Sequence, residues 1–140
     1  MKPLYEEGQA WCIVCDKEVP YITKVELTKT SVKGVKVEAE LKHAYCSDCG
    51  HQLFVYEYEK VNQVLIFDEY KKKKGLLTSK EMIEIRKKYG LSQTALAKAI
   101  KVGAKNIARY ESGKIQDASI DLLIRLLAAH PKAFGIKNKK

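Results

Sequence analysis

Hydrophobic positions in this chain recur first with the period of a strand and later with that of a helix, and the change falls near residue 59. Ile22, Val25 and Leu27 lead to Lys33-Gly34, and then Val35, Val37, Ala39 and Leu41 follow at every second position. Such alternation marks half-buried strands, and Lys-Gly between two of them predicts a hairpin. A third strand is expected over residues 52–57. From about residue 59 to 74 the spacing becomes i, i+3, i+4, through Val61, Val64, Leu65 and then Phe67 or Asp68. This predicts a helix ending in Lys71-Lys72-Lys73-Lys74, where the dipole favours cations, with Gly75 just past its end. The lysine run reads equally as a solvated helix end or as a source of phosphate contacts.

The helical period continues to residue 131. Thr78 with Glu81 three residues later forms a capping box, and Met82, Ile85 and Tyr89 face a core before Gly90. Ser92 caps a second helix running to about residue 100, with Leu96, Ala97 and Ile100 on one face. The small residues Ala95, Ala97 and Ala99 let another helix approach closely. Lys101-Val102-Gly103 joins it to a helix over residues 104–112 that turns Ile107 and Tyr110 inward and Lys105, Asn106 and Arg109 outward. Lys105 and Arg109, four apart, share a face, as reading a DNA groove requires. Two short helices so joined read as a helix-turn-helix or as an ordinary helical hairpin with a solvated basic face, which spacing alone does not separate. After Gly113, Asp117 or Ser119 caps a last helix carrying Ile120, Leu123, Ile124, Leu126 and Leu127. This apolar surface is a wide core-facing stripe or includes a dimer seam. Pro131 ends it, and the tail through Lys137, Lys139 and Lys140 is expected to fray.

Charge sharpens this division. The 140 residues carry a formal net charge of +9. Residues 1–70 hold 8 Lys and Arg against 12 Asp and Glu, a net of −4; residues 71–140 hold 18 against 5, a net of +13. The basic half suits a phosphate backbone, and the acidic half is left for another partner. Hydrophobic content of 46% describes a globular chain. No apolar run approaches the roughly 20 residues of a membrane span, and no signal peptide opens the chain, so a cytoplasmic protein with no membrane partner is expected. That setting argues against structural disulfides.

The four cysteines fall into two pairs, Cys12-Ile13-Val14-Cys15 and Cys46-Ser47-Asp48-Cys49-Gly50. Two CxxC knuckles about 30 residues apart are the spacing of a tetrahedral four-thiolate zinc site. Gly50 helps the second knuckle turn back, and Asp16 tolerates the left-handed conformation in the first. A redox CxxC would precede a helix in a βαβ unit, and neither pair does. Four thiolates leave no open coordination position, so one structural Zn2+ per chain is expected, with Cys12, Cys15, Cys46 and Cys49 as ligands. His43 and His51 are neighbours rather than ligands. No paired acid and base, no nucleophile with a partner histidine and no phosphate-binding glycine loop occurs, so no enzymatic activity is expected.

The residues also carry two resemblances. Ser92-Gln93, Ala97 and Ile107-Ala108-Arg109-Tyr110-Glu111-Ser112-Gly113 resemble the SQ…A…xISRWExG pattern of Xre/Cro-type DNA-binding domains over residues 79–127. The whole chain resembles the MqsA/YgiT-type antitoxin family, through CxxC…CxxCG, the junction at residues 69–78, the LSQ…ARYESG core and the LLIRLLAAHP end. The resemblance implies an α+β protein: a zinc-ribbon-like domain (1–58), a connecting helix and linker (59–76), an all-α Xre/Cro-type helix-turn-helix domain (77–131) and a basic tail (132–140). It implies a homodimer that binds a toxin through the zinc domain and represses its own promoter at a palindromic operator. An Arg at the position of Arg109 reads bases in such proteins; the family's Asn one turn earlier falls on Lys105, with Asn106 adjacent. The expected DNA-facing set is Gln93, Thr94, Ala104, Lys105, Asn106, Arg109 and Lys114, with Gln93 and Lys114 on phosphate. The alternatives are a stand-alone Xre-family regulator whose zinc domain is structural and, more remotely, a thiol redox sensor.

Overall fold

The computed structural model describes residues 8–137, which divide into two compact units, one ending at Ile66 and the other beginning at Phe67. The layout is α+β, a four-stranded antiparallel sheet followed by five helices.

In the first unit the strands β1 (Gln9–Cys12), β2 (Lys17–Val32), β3 (Val35–Cys46) and β4 (Gln52–Leu53) lie in sequence order. The long β2 changes partner along its length. Its first residues pair with β1 (Gln9↔Pro20 to Cys12↔Lys17), and the rest pair with β3 from Tyr21↔Cys46 to Val32↔Val35. Pro20, which has no amide hydrogen to donate, sits where β2 exchanges β1 for β3 as its partner. The hairpin turns at Lys33 (φ 48°) and Gly34 (φ 80°), two consecutive left-handed residues whose twist matches the strands they join. Cys12, Val19, Tyr21, Ala44, Cys46, Leu53, Val55 and Tyr58 form the core, so two of its eight buried members are cysteines. The expected third strand is only Gln52–Leu53, because Val55 already accepts the amides of Tyr58 and Glu59 and starts a helix.

That helix, α1 (Tyr56–Lys74), begins in the first unit and ends in the second. Its inward face differs from the one hydropathy selects. Val61 and Leu65 are exposed, whereas Tyr58, Asn62, Tyr70 and Lys71 are buried. Hydrogen bonding explains the choice in the first turns. The Tyr58 and Thr23 hydroxyls lie 2.8 Å apart, and the Asn62 amide both accepts from the Lys42 N–H (3.1 Å) and donates to its carbonyl (2.9 Å). Asn62 thus satisfies a stretch of β3 edge as a neighbouring strand would.

The second unit holds the end of α1 with α2 (Ser79–Lys88), α3 (Gln93–Ile100), α4 (Ala104–Glu111), α5 (Ala118–Ala129) and a 3-10 turn at Pro131–Phe134. The Thr78–Glu81 capping box is complete, and the Ser92 hydroxyl accepts the Ala95 amide at 3.0 Å. Leu76 N–H returns to the Lys71 carbonyl past Gly75 (φ 73°), closing α1. The core comprises Leu77, Met82, Tyr89, Leu96, Ala97, Ile100, Ile107, Ile124, Leu127 and Ile136. Ile136 and the adjoining Phe134 show that the chain past Pro131 still packs before its end; Lys139 and Lys140 lie outside the described residues. Asp117 occupies the cap position of α5 without a side-chain hydrogen bond. Among the described residues no helix is long and apolar enough to cross a membrane.

Candidate metal centre and basic helix face

The two cysteine pairs are built alike. In the first, Asp16 N–H returns to the Cys12 carbonyl (2.7 Å) with Asp16 at φ 56°; in the second, Gly50 N–H returns to the Cys46 carbonyl (2.9 Å) with Gly50 at φ 80°. Each turn points backbone amides at sulfur: Cys15 N–H at Cys12 Sγ, Asp48 and Cys49 N–H at Cys46 Sγ, and His51 N–H at Cys49 Sγ, all at 3.4–3.5 Å. Such donors favour thiolate over thiol. Continuous β2–β3 pairing up to Tyr21↔Cys46 sets the second knuckle against the first.

All four sulfurs lie within 4.8 Å of one another, with Cys12 and Cys49 at 3.5 Å and Cys15 and Cys46 at 3.8 Å. These separations far exceed a disulfide bond, and all four cysteines are free. They fit the edges of a four-thiolate tetrahedron, about 3.8 Å when metal–sulfur bonds are about 2.3 Å. Cys46 is lowered to about 7, chiefly by the Cys49 amide and against the effect of burial, with the Asp48 amide adding. Cys15 is pushed up to about 12 by its hydrogen bond with Cys49 and by burial. The cluster can hold a metal ion. His43 bonds elsewhere, to Thr28 Oγ1 and Gln52 Nε2 at 3.1 Å each, and His51 is exposed.

In the second unit the outward residues of α4 and its flanks are cationic. Ala104, Lys105, Arg109 and Lys114 are exposed, as are Thr94, Lys98 and Lys101 on or just after α3; Asn106 is half-buried. Ile107 and Glu111, one turn apart, form the opposite, buried face. Gln93 is half-buried and donates to Glu111 Oε1 at 3.0 Å. Its expected phosphate contact would thus come from a side chain already tethered to the end of α4.

Glu111 is the residue that sequence reasoning passed over. Arg86 Nε and Nη2 reach its two oxygens at 2.7 and 2.9 Å, and Arg86 Nη1 also donates to the Leu91 carbonyl. One carboxylate thereby joins α2, α3 and α4. Its signal was present: four residues past Ile107, it had to face the core, and a buried carboxylate needs a partner. The 69–78 junction has a similar centre. Asp121 accepts Leu77 N–H (2.7 Å), Gln116 Nε2 (3.0 Å) and Arg125 Nε (2.7 Å). Arg125 Nη2 and Gln116 Nε2 further donate to the carbonyls of Gly75 and Leu77. Asp68 accepts both the amide and hydroxyl of Ser79.

The family described as the antitoxin component of a bacterial toxin-antitoxin system, MqsA, matches residues 10–135. That span takes in both cysteine pairs, the junction and all five helices. No curated protein matches the chain. The match covers nearly the whole sequence, and the chain belongs to the MqsA antitoxin family.

Proposed function

We propose that this antitoxin binds operator DNA through α3 and α4, a helix-turn-helix of the Xre/Cro type, and represses its own promoter as a dimer. The observation that carries the reading is the two-sided character of α4: Ile107 and Glu111 lock it into the core, and Lys105 and Arg109 face solvent one turn apart. A short, firmly held helix with cations outward suits insertion in a major groove. Arg109 or Lys105 would pair with guanine O6/N7 and Asn106 with adenine; Thr94, Lys114 and the α4 start at Ala104 would meet phosphate, with Gln93 fixing register. In the dimer, recognition helices about 34 Å apart reach successive grooves of a palindrome. Leu122 and Leu126 of α5, both exposed, are the seam we assign to it.

Zn2+ is the ion that four thiolates at these separations suit best, bound by Cys12, Cys15, Cys46 and Cys49 in a closed, structural site. The first unit is the part we assign to the toxin. It leaves Trp11, Ile13, Val14, Val25, Leu27 and Phe54 exposed, far more apolar surface than a small metal-held sheet needs. A groove of about 420 Å3, lined in part by Val25, Tyr58, Val61 and Leu65, adds to it. The test is co-expression with the product of the adjoining open reading frame, followed by footprinting on the shared promoter. Co-purification and a footprint lost in Arg109→Ala support the reading; a footprint unchanged by that substitution contradicts it.

A further inference from the structure

Lys71 stands apart from the other cations of its run. Lys72, Lys73 and Lys74 are exposed, but Lys71 has 0% of its surface accessible, which makes it the largest fully buried side chain among the described residues. Its Nζ donates to the Tyr110 carbonyl at 3.4 Å. Tyr110 lies in the last turn of α4, directly after Arg109, at the negative end of the helix dipole, and its carbonyl accepts the Gly113 amide at 3.1 Å beside the ammonium. Burial lowers the ammonium pKa, while the carboxylates of Asp68 and Asp121 attract the charge and oppose that effect. Neither carboxylate is loose: Ser79 holds Asp68, and Leu77, Gln116 and Arg125 hold Asp121.

A methionine or leucine would fill this space without the cost of desolvating a charge, so stability alone gives no reason for a lysine. What the ammonium adds is direction, a cationic donor fixed on the end of one particular helix. Granting the DNA reading above, we propose that Lys71 is a positioning residue for α4, which anchors the C-terminal turn of the recognition helix and thereby sets the pose of Arg109 and Lys105 in the groove. It touches no DNA itself, since a fully buried ammonium reaches no phosphate.

The test measures equilibrium binding of the full metal-loaded chain to a duplex taken from upstream of its own coding sequence, across a salt series. Lys71→Met is compared with wild type, and Lys71→Arg keeps the cation as a control. Lys71→Met is expected to melt at or above the wild-type temperature, to bind about tenfold more weakly, and to keep the wild-type slope of log K against log salt. Lys71→Arg is expected to lie closer to wild type in affinity. A phosphate-contacting lysine would instead lower that slope by about 0.9 when removed. Undiminished binding by Lys71→Met, a reduced salt slope, or a failure of that variant to fold would each overturn the proposal. No binding by wild type would remove the DNA reading itself, a result distinct from the loss of Lys71's role alone.

Discussion

Arg86 and Glu111 form a two-pronged ion pair between the last turns of α2 and α4, with Nε–Oε2 at 2.7 Å and Nη2–Oε1 at 2.9 Å. The side chains are only 16% and 5% exposed, so the pair is largely screened from water and salt. Removing one partner leaves the other buried and uncompensated, at a cost of about 3–5 kcal/mol. Glu111→Ala is therefore expected to remove a large share of the second unit's stability, seen in urea unfolding of the full chain. The double replacement Arg86→Met with Glu111→Leu should be markedly more stable than either single change. A Glu111→Ala loss below about 1 kcal/mol would show the pair to be ornamental.

Metal removal should affect the two units unequally. The first unit's small core includes Cys12 and Cys46 themselves, and a bound structural zinc supplies on the order of 10 kcal/mol in small metallo-domains. Chelation, or Cys46→Ser, is expected to abolish the protected amides of β2 and β3 in hydrogen exchange while those of α2 to α5 persist. Equal protection of the sheet with and without metal would contradict this.

Acid should weaken the second unit through Asp121. Burial alone would raise this carboxyl, but the Leu77 amide, Arg125 and Gln116 outweigh it and hold it below its ordinary 3.8. A carboxyl depressed in the folded state contributes stability in full above its unfolded value, and that contribution disappears as pH falls through the lower folded value. Melting temperatures measured between about pH 6 and pH 2 should thus fall more steeply below pH 4 in wild type than in Asp121→Asn. Parallel curves for the two proteins would refute the assignment.

The turn between α3 and α4 holds an improvable position. Lys101, not Gly103, takes the left-handed conformation, at φ 61°, and Gly103 is extended at φ −72°. Because glycine relieves the crowding a side chain meets there, Lys101→Gly is expected to stabilise the second unit by about 1 kcal/mol. A lower melting temperature for this variant would show that the lysine side chain makes a contact worth more than the strain.

The seam assigned to α5 is tested by charge. Leu122→Glu with Leu126→Glu, both at exposed positions, should leave the melting temperature of dilute protein nearly unchanged while sedimentation shows monomers. Sedimentation as a dimer would place the seam elsewhere.

Features fixed by local chemistry were legible in the sequence: the capping box at Thr78–Glu81, the Ser92 cap, the Lys33-Gly34 hairpin and the paired CxxC turns. Each depends on residues a few positions apart. What escaped depends on partners distant in the chain. Asn62 is polar yet buried because the Lys42 backbone lies beside it, and Lys71 sits among three exposed lysines that look identical to it in sequence. Hydropathy put Val61 and Leu65 on the inner face of α1, where bonds to the sheet turn Tyr58 and Asn62 inward instead. Glu111 belongs to the Ile107–Gly113 motif, and its place opposite Arg86 gives that motif a physical reason.

Salt-dependent binding of the metal-loaded chain to the DNA upstream of its own gene bears most directly on the account. Several phosphate contacts per dimer predict that affinity falls steeply and log-linearly as salt rises, that an unrelated duplex binds at least about 1000-fold more weakly, and that Arg109→Ala erases this preference. Binding indifferent to salt, or equal for both duplexes, would contradict a DNA-reading role for α4.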